Sequence, residues 1–235
     1  MTKKCILAVS CATVLVLLLR TGGSIGRDAD VTAVRRRDAT DFDAVTSSHT
    51  VVTAYFETPS RHPPEYYREL MGNMLSMRDP MVVFTAEENV RNMTEMRRHL
   101  PGRTRFVTLR MDELWPAKMK DRSFWEGQYE MNFEKEYHRS YELFWIWLSK
   151  TWFVHRTIEM NPFRSEYFVW LDIGAFRDAK YNDMQLVRHP EVIPYSSVLV
   201  MAPMPITTAD SVWIQEPRDK CWLGAGHLAG RADRG

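Results

Sequence analysis

Cysteine is scarce in this chain of 235 residues, which contains only three. Cys5 and Cys11 lie in an apolar segment at the N-terminus, so Cys221 is the one cysteine of the remaining sequence. One cysteine cannot form a disulfide within its own domain, which excludes a small fold held together by several disulfides. Cys221 can be buried, free or paired with another chain, and we expect it to be buried.

An excess of charge of either sign is also lacking. The 31 Lys and Arg residues nearly balance the 30 Asp and Glu residues, which gives a formal net charge of +1. Proteins dedicated to nucleic acids usually present a strongly basic face, so we expect no nucleic-acid partner. The length and the 45% apolar composition fit a single domain with a sizeable core.

The N-terminal apolar run is shorter than the roughly 20 residues of a membrane-spanning helix. It covers residues 5–19, follows Lys3 and Lys4, and ends at Arg20. A basic start before an apolar run is typical of an export signal. Residues 1–20 are therefore either a cleaved signal peptide or a signal anchor, and both alternatives stay open. We expect the folded body to lie on the lumenal or extracytosolic side of a secretory-pathway membrane (the Golgi in a eukaryote). The alternative is that the protein is secreted.

Residues 21–49 contain few large apolar side chains and are rich in Arg, Asp, Thr, Ala and Gly. Such a composition cannot bury enough apolar surface to fold alone. We interpret this segment as a flexible stem between the N-terminal segment and a folded domain at residues 50–235.

Runs of apolar, β-branched and aromatic residues predict strands in this domain. They lie at residues 50–56, 81–84, 105–109, 167–171 and 197–202. Helical spacing of apolar residues predicts helices at 64–77, 87–100 and 139–160. Continuous apolar strands that alternate with helices are typical of a mostly parallel sheet covered on both faces. We therefore predict an α/β domain of this kind.

Ligands of such sheets bind at the carboxyl ends of the strands. Asp172 directly follows the predicted strand at 167–171, Gly174 would let another group approach the backbone, and Arg177 could pair with a phosphate. Carboxylate oxygens together with substrate phosphates are usual ligands of Mg²⁺. The alternative is that Asp172 caps the following turn and Arg177 is a surface charge.

Several segments resemble the family named after the bacterial HtrL/YibB proteins, in the family's order and across about residues 50–230. They are TVVTAYFETP (50–59), PMVVFT (80–85), SYELFWIWLSKTWFVHRTIEMNPF (140–163), EYFVWLDIGAFRD (166–178) and LGAGHLAG (223–230). That family resembles glycosyltransferases of the GT-A type. The resemblance therefore implies a GT-A-like, nucleotide-diphospho-sugar transferase fold. Because such folds usually continue past the point that corresponds to Gly235, a C-terminally incomplete domain is one of the alternatives.

The resemblance also implies a reaction, in which a sugar moves from a nucleotide-sugar donor to a glycan or glycolipid acceptor with the help of Mn²⁺ or Mg²⁺. Asp172 takes the place of the metal-binding carboxylate, and Arg177 and Lys150 would share the charge of the leaving diphosphate. The usual motif has two acids around one residue, but the second position is Gly174. Either one carboxylate and water hold the metal, or the reaction needs none.

Further positions follow from the same resemblance. Residues Thr53, Tyr55 and Gly174 would bind the donor, and Gly224, Gly226 and Gly230 would form a glycine-rich acceptor loop that also contains His227. Independently of the resemblance, Asp210 and Glu216, in the stretch after the predicted strand at 197–202, are candidates for the catalytic base. Two other classes stay open: a non-catalytic exported binding protein on this fold (or a truncated relative), and a partner-binding protein that uses the helix at 139–160.

Overall fold

The computed structural model describes residues 45–132, 135, 139–194, 197–201 and 224–231. The N-terminal segment, nearly all of the predicted stem, Cys221, Asp210 and Glu216 lie outside these ranges. No helix within them is long and apolar enough to cross a membrane.

Strands and helices alternate over most of the described chain. The strands are β1 (His49–Tyr55), β2 (Met81–Thr85), β3 (Thr104–Thr108), β4 (Tyr167–Leu171), β5 (Val198–Met201) and β6 (Gly224–Arg231). The α-helices are α1 (Pro64–Leu75), α2 (Glu87–Met96), α3 (Trp115–Met119), α4 (Arg122–Glu130), α5 (Glu142–Leu148) and α6 (Lys150–Met160). Short 3-10 turns lie at Met111–Glu113, Ala179–Tyr181 and Pro190–Val192.

In the described part of the chain the strands form one six-stranded sheet with the order β3-β2-β1-β4-β6-β5. The pairs β2–β3, β1–β2 and β1–β4 are parallel, whereas β6 runs antiparallel to both of its neighbours. Every residue of β2 and β4 is buried, as expected of central strands with continuous apolar sequences. The predicted α/β class with a mostly parallel sheet is confirmed.

Helices cover both faces of the sheet. Met71, Met74 and Leu75 of α1 pack with Met93 of α2 against one face, which also carries Val51. On the other face, Trp170 belongs to a core cluster with Ile146 of α5, Phe153 of α6 and Leu114, the residue that precedes α3. The sheet is therefore the middle layer of three, with a core on each side.

Two segments differ from the prediction. The helix expected at 139–160 is divided at Ser149, where the backbone has φ −87° and ψ −4°, into α5 and α6. The glycine-rich segment that we expected to be a loop is strand β6. Glycine lacks the side chain by which a strand is normally predicted, but β6 pairs with a strand on each side, and this pairing satisfies its backbone.

A buried polar cluster lies at the amino ends of the parallel strands. His49 Nε2 lies 2.8 Å from Asp79 Oδ1, and the carboxylate of Asp79 accepts the backbone N–H groups of Leu186 and Val187 at 2.8 and 3.0 Å. Burial raises the pKa of Asp79, but these hydrogen bonds outweigh it and hold the pKa below the ordinary 3.8. Asp79 thereby fixes the segment that follows β4 to the start of β2.

Arg97 extends this cluster. Its guanidinium donates to the backbone carbonyls of Leu75 and Met77 at 3.0 and 2.9 Å, and to those of Asp79 and Arg103 at 3.0 and 3.3 Å. Burial lowers the pKa of Arg97 to about 10, so the side chain remains charged at neutral pH. One buried cation therefore holds together the ends of α1 and α2 and the starts of β2 and β3.

Candidate functional site

The strand order reverses direction between β1 and β4. From β1 the chain proceeds outward through β2 and β3, whereas β4 lies on the other side of β1. In open α/β sheets, ligands bind at such a switch point, outside the carboxyl ends of the strands. Val52 pairs with Trp170, so continuing the register places Ala54 beside Asp172. The first residue after β4 therefore lies in the expected crevice.

Asp172 and Lys150 form an ion pair at this position. Lys150 Nζ lies 2.8 Å from Oδ1 and 3.1 Å from Oδ2 of Asp172. Trp170 Nε1 donates a hydrogen bond to Oδ1 at 2.8 Å. The Lys150 side chain is 9% exposed and that of Asp172 is 39% exposed. The lysine thus approaches the carboxylate from inside the protein, while the carboxylate also faces solvent.

Aromatic rings fix the position of the lysine. Lys150 Nζ lies 5.7 Å from the centre of the Trp170 ring, within the range of a cation–π contact. Phe153 stacks on Trp170 with ring centres 5.7 Å apart and an interplanar angle of 10°. The sequence left open whether Lys150 reaches a ligand or bends toward solvent. The structure shows that it does not bend outward, since it is buried at the carboxyl end of β4.

Gly174 and Arg177 lie in the segment that leaves β4. A Cβ atom at Gly174 would be 3.5 Å from Leu70 Cδ1, an ordinary contact, so the packing here would accept an alanine. Arg177 is exposed, and its Nη1 donates to the hydroxyl of Tyr66 at 2.7 Å. Tyr66 in turn stacks on His62 with ring centres 4.3 Å apart. Arg177 therefore connects the segment after β4 to the start of α1.

A small cleft lies on the other face of the sheet at the same end of β1. Tyr55, Glu57, Arg68, Asn89 and Asn92 line it, together with apolar residues of α1 and α2. Burial, and then the charge of Glu57, raise the pKa of Tyr55, so its hydroxyl stays protonated and can donate. Within the described residues, the buried Asn89 Nδ2 has no hydrogen-bond partner. The cleft thus places an aromatic ring and the guanidinium of Arg68 next to an asparagine whose amide nitrogen is buried without a partner.

Thr53 does not reach this surface. It is fully buried two residues before the end of β1, and its hydroxyl is without a hydrogen-bond partner among the described residues. A nucleotide sugar therefore cannot contact the Thr53 side chain in this arrangement. Tyr55, by contrast, is half-buried beside the cleft.

The glycines of β6 lie beside different positions along β4 and the segment that follows it. Leu171 pairs with His227, so continuing the register places Gly226 beside Asp172 and Gly224 just beyond it. Gly230 instead pairs with Phe168, well inside the sheet. The sheet therefore brings Gly224, Gly226 and the backbone of His227 to the carboxyl end of β4, but not Gly230.

The described residues do not fit a divalent cation at Asp172. They contain no group of three or more His, Cys, Asp and Glu side chains that could hold a metal ion. Both oxygens of Asp172 already contact the Lys150 ammonium, and the neighbouring position that would carry a second acid is Gly174. Mg²⁺ is usually held by one or two carboxylates together with substrate phosphates, and the carboxylate available here is already paired with an ammonium.

Sequence reasoning missed three contributors to this site. Trp170 orients Asp172, and Arg68 and Asn89 line the cleft beside Tyr55. Trp170 lies within an apolar strand, so the sequence predicted only that its side chain is part of the hydrophobic core. A signal for Asn89 was present, because a polar residue on the inner side of a predicted helix needs a partner.

The comparisons with known proteins give one match. A family model described as "Bacterial protein of unknown function (HtrL_YibB)" matches residues 47–192, which is more than half of the chain. The matched range contains β1 to β4, the Lys150–Asp172 pair and the Tyr55 cleft. No curated protein matches the chain, and no solved structure does. The chain belongs to the HtrL/YibB family.

Proposed function

We propose that this protein is a glycosyltransferase of the GT-A type, which moves a sugar from a nucleotide-sugar donor to a glycan or glycolipid acceptor. The observation that carries the proposal is the Lys150–Asp172 ion pair at the switch point. The Tyr55 cleft lies at the same end of the strands, on the opposite face of the sheet. The family's resemblance to GT-A transferases and the mixed sheet support the same conclusion.

The Tyr55 cleft and the Lys150–Asp172 ion pair suit different parts of a nucleotide sugar. The Tyr55 ring can stack on a base, and the Arg68 guanidinium can donate to its polar edge or to a ribose hydroxyl. The diphosphate would then pass over the end of β1 toward Lys150. Asp172 holds the lysine in place there, and Arg177 adds a second cation at the rim of the same segment.

The proposed reaction is a displacement at the anomeric carbon. An acceptor hydroxyl attacks this carbon, the bond to the diphosphate oxygen breaks, and the electron pair leaves with the nucleoside diphosphate. Cations already in place stabilise the charge that develops on this leaving group. The acceptor's proton passes to a base, for which Asp210 and Glu216 remain the candidates. Gly224 and Gly226, at the carboxyl end of β4, would border the acceptor.

We further propose that this reaction takes place on the lumenal or extracytosolic side of a membrane. The support is the basic and apolar character of residues 1–20, followed by the polar segment 21–49. A membrane-attached body would meet glycan and glycolipid acceptors at that surface.

A second candidate is a binding protein that takes the nucleotide or glycan without transfer. One observation favours it: the carboxylate of Asp172 is already satisfied inside the protein, by Lys150 and by the indole N–H of Trp170. A residue with this role would shape a binding surface and take no part in chemistry.

Turnover separates the two candidates. Full-length protein is incubated with a panel of nucleotide sugars, and the release of nucleoside diphosphate is measured for the natural chain and for Asp172→Asn. We expect release from a restricted set of donors, and a fall of about 100-fold or more in the variant, because the lysine loses its orienting charge.

Asp183→Asn is the matched control for this assay. Asp183 is exposed, adopts φ 57°, which asparagine tolerates, and lies 3.8 Å from His99, outside the candidate site. Its turnover should equal that of the natural chain. Nucleotide binding without any release would favour the binding protein, and absence of both would contradict the proposed function.

A further inference from the structure

The Lys150 ammonium lies against the carboxylate to which the resemblance assigns metal binding. It contacts both oxygens of Asp172, at 2.8 and 3.1 Å, and its side chain is nearly buried. We propose that Lys150 replaces the divalent cation, so that sugar transfer by this protein requires no metal ion. This inference rests on the proposed function and specifies how the same site supplies its positive charge.

Charge repulsion would oppose a metal ion at Asp172. A Mg²⁺ ion lies about 2.1 Å from its carboxylate ligands. Since Lys150 Nζ is 2.8 Å from Oδ1, an ion on that oxygen would lie within roughly 5 Å of the ammonium. Two like charges this close in a partly buried site repel strongly, because little water separates them. The metal would have to displace a lysine that Trp170 and Asp172 both hold in place.

Asp172 also lacks the second carboxylate that the usual motif places two residues later. Position 174, which would supply a second carboxylate, is glycine, and Trp170 contributes only an N–H donor to Asp172. A donor of this kind suits a carboxylate whose role is to orient an ammonium. Asp172 is thus equipped to accept hydrogen bonds from Lys150 and Trp170.

A lysine can perform the electrostatic part of the reaction. Its ammonium is a compact positive charge with N–H donors that phosphate oxygens accept. Because Asp172 and the Trp170 ring fix its position before any ligand binds, little reorganisation is needed when charge develops on the departing diphosphate. Lys150 is thereby a catalytic residue, and Asp172 and Trp170 are positioning residues.

The test compares turnover of the full-length protein in a chelator with turnover in added Mn²⁺ or Mg²⁺. It also measures Mn²⁺ binding directly, from the magnetic resonance signal of free Mn²⁺, for the natural chain and for Asp172→Asn. We expect turnover to differ by less than about twofold between chelator and metal, and the two proteins to bind Mn²⁺ equally.

A charge-rescue experiment probes the lysine itself. Lys150→Ala removes the ammonium and leaves space beside Trp170, and we expect ethylammonium ions, but not the neutral ethanol of similar size, to restore part of the turnover. Lys180→Ala, which removes an exposed lysine, should need no rescue. Circular dichroism of each variant shows whether the fold is kept.

The outcomes distinguish the inference from the function on which it rests. Turnover that disappears in chelator and returns with Mn²⁺, or Mn²⁺ binding that Asp172→Asn abolishes, overturns the inference and leaves the transferase intact. Absence of turnover under every condition contradicts the proposed function and with it a catalytic Lys150. The Mn²⁺ titration then still decides whether Asp172 takes a metal ion.

Discussion

Replacing Arg97 with leucine is expected to lower the free energy of unfolding by about 3–5 kcal/mol. The guanidinium donates to the backbone carbonyls of Leu75, Met77, Asp79 and Arg103, and leucine would remove this donor from all four, although the Arg103 carbonyl would keep the backbone N–H of Met81. It would also remove a cation from beside the buried Asp79 carboxylate. A loss of this size is a large part of the total stability of an ordinary domain.

Chemical denaturation of the two proteins measures this effect, and Arg98→Leu is the control. Arg98 is the next residue, but its side chain is 75% exposed and forms an exposed ion pair with Glu95. Such a change usually alters stability by less than about 0.5 kcal/mol. Equal losses for the two variants would show that the buried cluster does not stabilise the fold in the way described.

Replacing Lys150 with methionine is expected to abolish most of the turnover and little of the stability. If the ammonium stabilises the leaving diphosphate, its loss should lower kcat by about 100- to 1,000-fold. Methionine keeps an apolar stem against Trp170, and Asp172 is exposed enough to be hydrated without its partner. We therefore expect the free energy of unfolding to change by no more than about 1 kcal/mol.

For each protein we would measure kcat for hydrolysis of the nucleotide sugar and the free energy of unfolding by chemical denaturation. Lys180→Met serves as the control. Lys180 is an exposed lysine that pairs with Asp178, so its replacement should change neither quantity appreciably. A folded Lys150→Met protein that retains its kcat would exclude a catalytic role for the lysine. A strong loss of stability would instead assign Lys150 to the core.

Much of the sheet could be predicted because its central strands are continuous apolar runs. The predicted strand at 167–171 agrees with β4 at both ends, and the start of α1 at Pro64 agrees as well. Such runs are bounded by polar or breaking residues, which locate their ends. The antiparallel position of β6 could not be predicted, because pairing partners depend on contacts far apart in the sequence.

The candidate site was predicted only in part, for the same reason. Asp172 was recognised from its place after a strand, but its contact with Lys150 depends on how α6 packs against β4. The cluster of His49, Asp79 and Arg97 was missed entirely, since its members are far apart in sequence and each resembles an ordinary surface residue. Local patterns indicate strands and helices, whereas these polar contacts arise from the tertiary arrangement.

The central claim is that a nucleoside diphosphate binds at the carboxyl ends of β1 and β4. Hydrogen exchange of the full-length protein, measured with and without such a ligand, tests it most directly. If the ligand binds at this edge, we expect slower exchange of the backbone N–H groups that follow β1 at residues 56–58, along α2 near Asn89, and after β4 at residues 172–174. Slower exchange confined to the other end of the sheet, around Asp79 and Arg97, or no change anywhere, would exclude binding at the carboxyl ends of these strands.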